Sequence, residues 1–278
     1  AQIANLFGRA NNAKTSYKRL ASFMEETQED DVSEKNKGAI RREKLGSIEF
    51  KDTTYRYPEA DLDTLRSINL SVNEGEKVAI LGRNGSGKST LMKLASGLFK
   101  ASDGLVMYDG VDIKQLHTDD LSKSIGIVLQ DVQLFSGSIR ENITMGREDI
   151  NQDDLINAGK LSGLDDFVSK IPGGYDLQLS DGGKGLSGGQ RQSIALARAI
   201  VHKPTHFILD EPTSAMDMNA ENIFISQMGS IMQDSTMLIV THRMPLLNLV
   251  DRIIVMNEGQ IVEDGPKEEI INKLNQPR

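Results

Sequence analysis

Residues 76–81, EKVAIL, run directly into GRNGSGKST at 82–90 and then into LMKLASGL at 91–98. An apolar β-type run, a glycine-rich loop and a helical stretch in immediate succession leave few folds open. The loop has to turn the chain from a buried strand into a helix whose first amides, lacking intrahelical partners, face an anion. Gly82, Gly85 and Gly87 let the backbone bend close to a phosphate, with Asn84 and Ser86 between them in the same cradle. Lys88 reaches the β- and γ-phosphates, the Ser89 hydroxyl is placed to ligate Mg²⁺, and Thr90 adds a phosphate contact. The bland alternative, a flexible glycine turn, explains neither the strand before the loop nor the helix after it.

The same alternation extends over most of the chain. From Ser47 onward SIEF, INLSV and EKVAIL are short β-type runs. The apolar runs at 76–81, 125–129, 206–209 and 237–240 are bounded by polar or glycine residues, as expected of strands buried on both faces of a mostly parallel sheet. Between about 138 and 175, pieces around Asp154–Leu161 and Leu164–Ile171 are amphipathic and lack strand signals, which predicts an inserted helical subdomain. Ahead of this part, Ile3, Leu6, Phe7, Ala10, Ala13, Tyr17, Leu20 and Met24 line one face of a helix. EETQEDDVSE and KNKGAIRREK then read as a charged linker, too polar to repay its own ordering. Two parts are expected: 1–46, an amphipathic helix and charged linker, and 47–278, an α/β domain. A start at Ala1 without Met fits a piece of a longer polypeptide.

Charge and cysteine content narrow the partners. Lys and Arg number 32 against 40 Asp and Glu, a net charge of −8, which argues against a nucleic-acid partner. With no cysteine there is neither a disulfide frame nor a thiolate metal site, which suits a reducing compartment. No apolar run approaches the ~18 residues a membrane helix needs.

Two further motifs carry chemistry. HFILDEP at 206–212 is an apolar strand ending in adjacent carboxylates, an odd place for two charges unless a cation or a reaction needs them. Asp210 is the candidate Mg²⁺ partner, usually through water, and Glu211 the general base or orienter of an attacking water. KGLSGGQRQ at 184–192 opens a second helix with Ser187, Gly188, Gly189 and Gln190, again leaving amides for an anion. Ser187 and Gln190 at this spacing also fit a plain capping box, and Asp217 a plain helix cap.

In this order, the glycine loop, LSGGQ, DEPTSAMD and VTHR closely resemble the ATP-binding cassette (ABC) ATPases, over about residues 47–278. The resemblance implies a P-loop NTPase core, a mostly parallel sheet flanked by helices, with an antiparallel β subdomain and a helical subdomain at about 138–190. It implies ATP and Mg²⁺ as cofactors, and a head-to-tail homodimer in which the LSGGQ helix of one copy faces the glycine loop of the other. Two cradles from different chains would then enclose each ATP. By the same resemblance Tyr57 stacks on adenine, Gln130 senses Mg²⁺ and water and meets the transport domain, His242 bonds the γ-phosphate, and Asp217 lies in the loop crossing the dimer interface. His117, His202 and His206 read as surface or packing residues.

Tyr57 with Pro58, SDGGKGLSGGQ and DEPTSAMD are similar to exporters, and among them to bacterial type I secretion ATPases, although Asp181 stands where exporters usually carry Glu. That kinship implies an ATPase moving a polypeptide at the cytoplasmic face of the inner membrane. Its partners would be a transmembrane domain of the same polypeptide, a periplasmic adaptor and an outer-membrane channel. A free-standing importer subunit would start near its first strand. A nucleotide-switched structural ATPase would insert a long coiled coil between Lys88 and Ser187, where this chain has no sustained heptads.

Overall fold

The computed structural model describes residues 36–274. The amphipathic helix expected at 3–24 and the acidic run at 25–34 lie outside the described residues. The chain divides into two units, 1–40 and 41–278, and the architecture below is that of the second.

In chain order the elements are β1 (Ile48–Tyr55), β2 (Leu65–Val72), β3 (Lys77–Gly82), α1 (Lys88–Ala95), β4 (Asp103–Tyr108), β5 (Val111–Asp112), α2 (Thr118–Ser124) and β6 (Ile125–Val128). There follow β7 (Gly137–Ser138), α3 (Ile139–Thr144), α4 (Gln152–Leu161), α5 (Asp165–Val168), β8 (Gln178–Leu179), α6 (Gly188–Ile200), β9 (His206–Asp210), α7 (Met218–Ile231), β10 (Thr236–Val240), β11 (Arg252–Asn257), β12 (Gln260–Pro266) and α8 (Lys267–Leu274). This is the P-loop NTPase fold, with a mixed sheet, an antiparallel sheet and covering helices.

The larger sheet has the order β12-β11-β3-β10-β9-β6, parallel throughout except for the antiparallel edge strand β12. Its strands are apolar on both faces because both faces are covered. Val78, Ile80, Ile208, Leu238 and Val240 face a core shared with α1 and the antiparallel sheet β2-β1-β4-β5. Ala79, Leu209, Met237 and Ile239 face the opposite core, built with α6 and α7. Helix α1 is wedged between the sheets, with Leu91, Met92, Leu94 and Ala95 fully buried. Burying a side chain of Leu size contributes about 1.5–3 kcal/mol, so the helix that starts at the glycine loop is held by its packing rather than by its cap.

Parallel pairing has a functional consequence. Val240 lies level with Ile80 and Asp210, and Val128 with Leu209, so the loops after β3, β6, β9 and β10 leave the sheet at one edge. Ligands of open α/β sheets bind at that carboxyl edge. Between β6 and β9 the chain makes α3, α4, α5 and α6, a helical part whose apolar centre includes Ile139, Ile143, Leu155, Leu164 and Val168. It also holds one short antiparallel pair, Gly137–Ser138 with Gln178–Leu179. The sequence showed no strand signal there because two residues cannot display a two-residue period.

Candidate active site

The glycine loop curls over the end of β3. Gly87, at φ +96, sits where a Cβ would meet Leu65 Cδ2 at 2.6 Å and the Thr64 carbonyl at 3.0 Å, so only glycine fits. As the N-cap of α1 it supplies no side-chain cap, which leaves the first-turn amides to an anion. Lys88 arches back and donates from Nζ to the carbonyls of Gly82 (2.8 Å) and Arg83 (3.0 Å). Burial lowers its pKa, opposed by the charges of Asp210 and Glu211. The Tyr57 hydroxyl lies 3.1 Å from Thr90 Oγ1, tying the aromatic to the loop.

Asp210 and Glu211 meet this loop from the end of β9. Asp210 is buried, the Ser89 hydroxyl bonds its carboxylate, and its Oδ1 has no partner. Burial raises its pKa. An orphaned buried oxygen costs about 1–3 kcal/mol, and a hard cation would relieve it. Ser89 and Asp210 Oδ1 offer the oxygen donors Mg²⁺ prefers. Among the described residues no cluster of three His, Cys, Asp or Glu forms an all-protein cage.

Glu211 adopts φ +51, a strained conformation costing about 1–3 kcal/mol. Three bonds hold its backbone: its N–H donates to the Val240 carbonyl (2.9 Å), and its own carbonyl accepts from Gln192 Nε2 and from Ser214 N (both 3.1 Å). The backbone N–H of His242 donates to its carboxylate, and His242 Nε2 lies 3.4 Å from Oε1. Burial raises the Glu211 pKa, with the His242 charge acting the other way. A carboxylate lifted in this way is a better proton acceptor than an exposed one.

These groups line one cleft of about 690 Å³, walled by Tyr57, Asn84, Gly85, Gly87, Lys88, Ser89, Thr90, Gln130, Asp210, Glu211 and His242. Of the expected cradle, Gly82 and Ser86 lie behind its wall. The Ser86 hydroxyl is buried without a partner, and a Cβ on Gly82 would run into Met256 O.

The residues of LSGGQ are elsewhere. Ser187 is exposed and caps α6, its Oγ accepting from Gln190 N (3.1 Å) while Gln190 Oε1 accepts from Ser187 N (2.8 Å). The capping box is therefore real, and it occupies the amides of 187 and 190 but not those of Gly188 and Gly189. None of residues 187–190 lines the cleft. Asp217 caps α7, accepting from Ala220 N at 2.8 Å.

Several residues here carried no signal in the sequence. Arg243 reaches from beside His242 to Glu221 (3.0 Å) and to the carbonyls of Ser214 and Met216 (3.4 and 3.3 Å), bracing the loop after Glu211. Thr64 and Ser214 complete the cleft wall. A cation directly after His242 in VTHR was the available hint. His206 is buried, with Nε2 2.6 Å from the Gly46 carbonyl and its ring edge-on to Tyr108, as a packing histidine should be.

The family model described as ABC transporter matches residues 65–214, from β2 through the glycine loop, LSGGQ and the strand ending in Asp210. The chain belongs to the ABC transporter family. It is 41% identical over 226 residues to the cyclolysin secretion/processing ATP-binding protein CyaB of Bordetella pertussis, covering 81% of this chain and 32% of that protein. It is 42% identical over 226 residues to the leukotoxin export ATP-binding protein LtxB of Aggregatibacter actinomycetemcomitans, with the same coverage of 81% and 32%. The chain thus spans about a third of the length of these relatives. A solved structure of a bacterial Atm1-family ABC exporter with ATP bound superposes with a TM-score of 0.77 at 31% identity, over 83% of this chain and 40% of that one. Among the described residues of this ABC domain no helix is long and apolar enough to cross a membrane.

Proposed function

We propose that this ABC domain hydrolyses Mg-ATP between two copies arranged head to tail and uses the cycle to drive a polypeptide across a membrane. The carrying observation is the separation of the two glycine-rich helix starts. Lys88, Ser89, Gln130, Asp210, Glu211 and His242 share one cleft, while Ser187 to Gln190 open on the surface outside it. A second copy would bring its own 187–190 to the mouth of this cleft, where the α6 dipole stabilises γ-phosphate charge.

In this reading the amides of 84–90 and Lys88 hold the phosphates, and the ring of Tyr57 stacks on adenine. Glu211 orients the attacking water and takes its proton as the bond to the γ-phosphorus forms and the bridging β–γ bond breaks, releasing ADP. His242 fixes both Glu211 and the γ-phosphate, and Gln130 reports the site to the membrane part. Ser89 and Asp210 would hold Mg²⁺, which when bound neutralises charge on the β- and γ-oxygens. Asp217 lies in the loop that crosses between copies. A polypeptide cargo follows from the kinship with the cyclolysin and leukotoxin proteins. The same reading includes a transmembrane domain in the same polypeptide, which residues 1–46 would join, a place at the cytoplasmic face of the inner membrane, and a periplasmic adaptor and outer-membrane channel as partners.

The test mixes two dead chains. Lys88→Ala disables the glycine loop and Ser187→Arg blocks the helix start, so each homodimer is inactive. With random pairing about half the dimers are mixed and each keeps one intact composite site, giving recovery of roughly a quarter of wild-type ATPase activity. No recovery on mixing, with wild-type activity strictly proportional to concentration, would mean each chain serves only itself.

A further inference from the structure

Gln192 stands on α6, two residues after LSGGQ, and is only 3% exposed. Its three side-chain bonds all go to one segment. Nε2 donates to the Glu211 carbonyl and to Ser214 Oγ, both at 3.1 Å, and Oε1 accepts from Ala215 N, also at 3.1 Å. A primary amide has two N–H groups and one carbonyl, so its donors are fully used and its orientation is fixed. The bond to Glu211 falls on the one acidic residue of the cleft with a left-handed backbone, φ +51, which needs outside support to persist. A close approach reinforces the link: a Cβ on Gly188 would stand 2.8 Å from that of Ala215. From the far side Arg243 grips Ser214 and Met216.

We infer that Gln192 is a positioning residue that joins the start of α6 and Glu211 of the same chain into one body. The inference rests on the head-to-tail reading, in which that helix start serves the ATP of one site and Glu211 acts at the other. Docking of Gly188 and Gly189 on the partner's nucleotide then bears on the aim of this chain's own carboxylate, through the first turn of α6, the Gln192 amide and the Glu211 backbone that it holds. Gln192 does not itself line the cleft but bonds two residues that do, Glu211 and Ser214, from behind, so its effect is on turnover and not on nucleotide affinity.

The experiment is a double-mutant cycle on the full chain, with Gln192→Met, which keeps the volume and removes all three bonds, and Glu211→Gln. Gln192→Met is expected to lower kcat about ten- to hundredfold through misplacement of Glu211, leaving KM for ATP within about twofold. In the Glu211→Gln background the same change should alter the residual single-turnover rate by less than about twofold, because a residue acting through the carboxylate has nothing left to act on. Gln192→Glu, which retains an acceptor for Ala215 N but sets a carboxylate oxygen against the Glu211 carbonyl, is carried through the same cycle and decides the matter if the Met variant does not fold. Equal fractional losses in both backgrounds, a loss confined to KM, or wild-type kcat in either variant would overturn the inference. A Glu211→Gln chain as active as wild type would instead overturn the base assignment, and with it the reading on which the inference stands.

Discussion

The helix start at Lys88 and the one at Gly188 both follow glycine-rich loops, yet Lys88 is 7% exposed and bonded to the carbonyls of Gly82 and Arg83, while Ser187 is exposed and closes a capping box with Gln190. Helix α1 has no side-chain cap and is held by four fully buried residues between two sheets. Its amides are free for phosphate because packing, not capping, keeps the helix in place. Helix α6 closes a capping box on the amides of 187 and 190 and leaves those of Gly188 and Gly189 outside it. In the head-to-tail reading proposed above, the same elementary device thus makes a half-site completed within the chain in one case, and a half-site offered to a neighbour in the other.

The largest expected effect tests the completed half. Glu211→Gln should reduce turnover about a thousandfold, in the range for loss of a general base, while ATP binding stays within about twofold and ATP-bound dimers accumulate on size-exclusion chromatography. Because burial raises the Glu211 pKa above its ordinary 4.5, the basic form is lost at a higher pH than for an exposed glutamate. The wild-type rate should therefore fall as pH drops toward that raised value, and the residual rate of Glu211→Gln should lack this limb. A variant that hydrolyses normally would move the base elsewhere.

Next in size is a change that separates the two roles of Ser187. Asp caps a helix as well as Ser does, so Ser187→Asp should unfold at the wild-type temperature. A negative charge set against a partner's γ-phosphate should nevertheless cut hydrolysis about a hundredfold. Retained activity would reduce the α6 start to a cap and erase the contrast with α1. Lys88→Ala should weaken ATP binding of the monomer about ten- to hundredfold, the worth of a charge-assisted contact, whereas Ser187→Asp leaves monomer affinity unchanged. Equal losses in an equilibrium binding assay would mean that both helix starts touch the same nucleotide in one chain.

The contrast also explains what could be read from the sequence. The runs at 76–81, 125–129, 206–209 and 237–240 became β3, β6, β9 and β10 with ends shifted by one residue at most, because strands covered on both faces must be apolar throughout. Lys88, Gln130, Asp210, Glu211 and His242 reach one cleft because parallel strands deliver their following loops to one edge, and Tyr57 joins them from the loop after β1 of the antiparallel sheet. Gln192, Arg243 and Ser214 were invisible for the opposite reason. Their partners lie 19–29 residues away along the chain, and a buried glutamine in an amphipathic helix looks like any other polar residue until the fold brings Ser214 to it.

The smallest effect concerns the edge of the completed half-site, where Tyr57 contributes a ring and a hydroxyl. The ring stands edge-on to Tyr55 and Phe99, with centroids 5.1 and 5.7 Å away, so neighbours fix its plane before any base arrives. The hydroxyl is engaged with Thr90 at 3.1 Å, so it also steadies the first turn of α1. Tyr57→Ala removes both functions and should weaken ATP binding about fivefold, the scale of an aromatic stack of about 1 kcal/mol. Tyr57→Phe keeps the ring and loses one partly exposed hydrogen bond, so its cost should stay near twofold. Binding of ATP compared with inorganic triphosphate sharpens the test, because triphosphate has no base to stack: Tyr57→Ala should weaken it no more than Tyr57→Phe does. Should the two variants weaken ATP equally, or Tyr57→Ala weaken triphosphate as much as ATP, the residue acts on the loop through Thr90 alone, and adenine must be held by another part of the cleft wall.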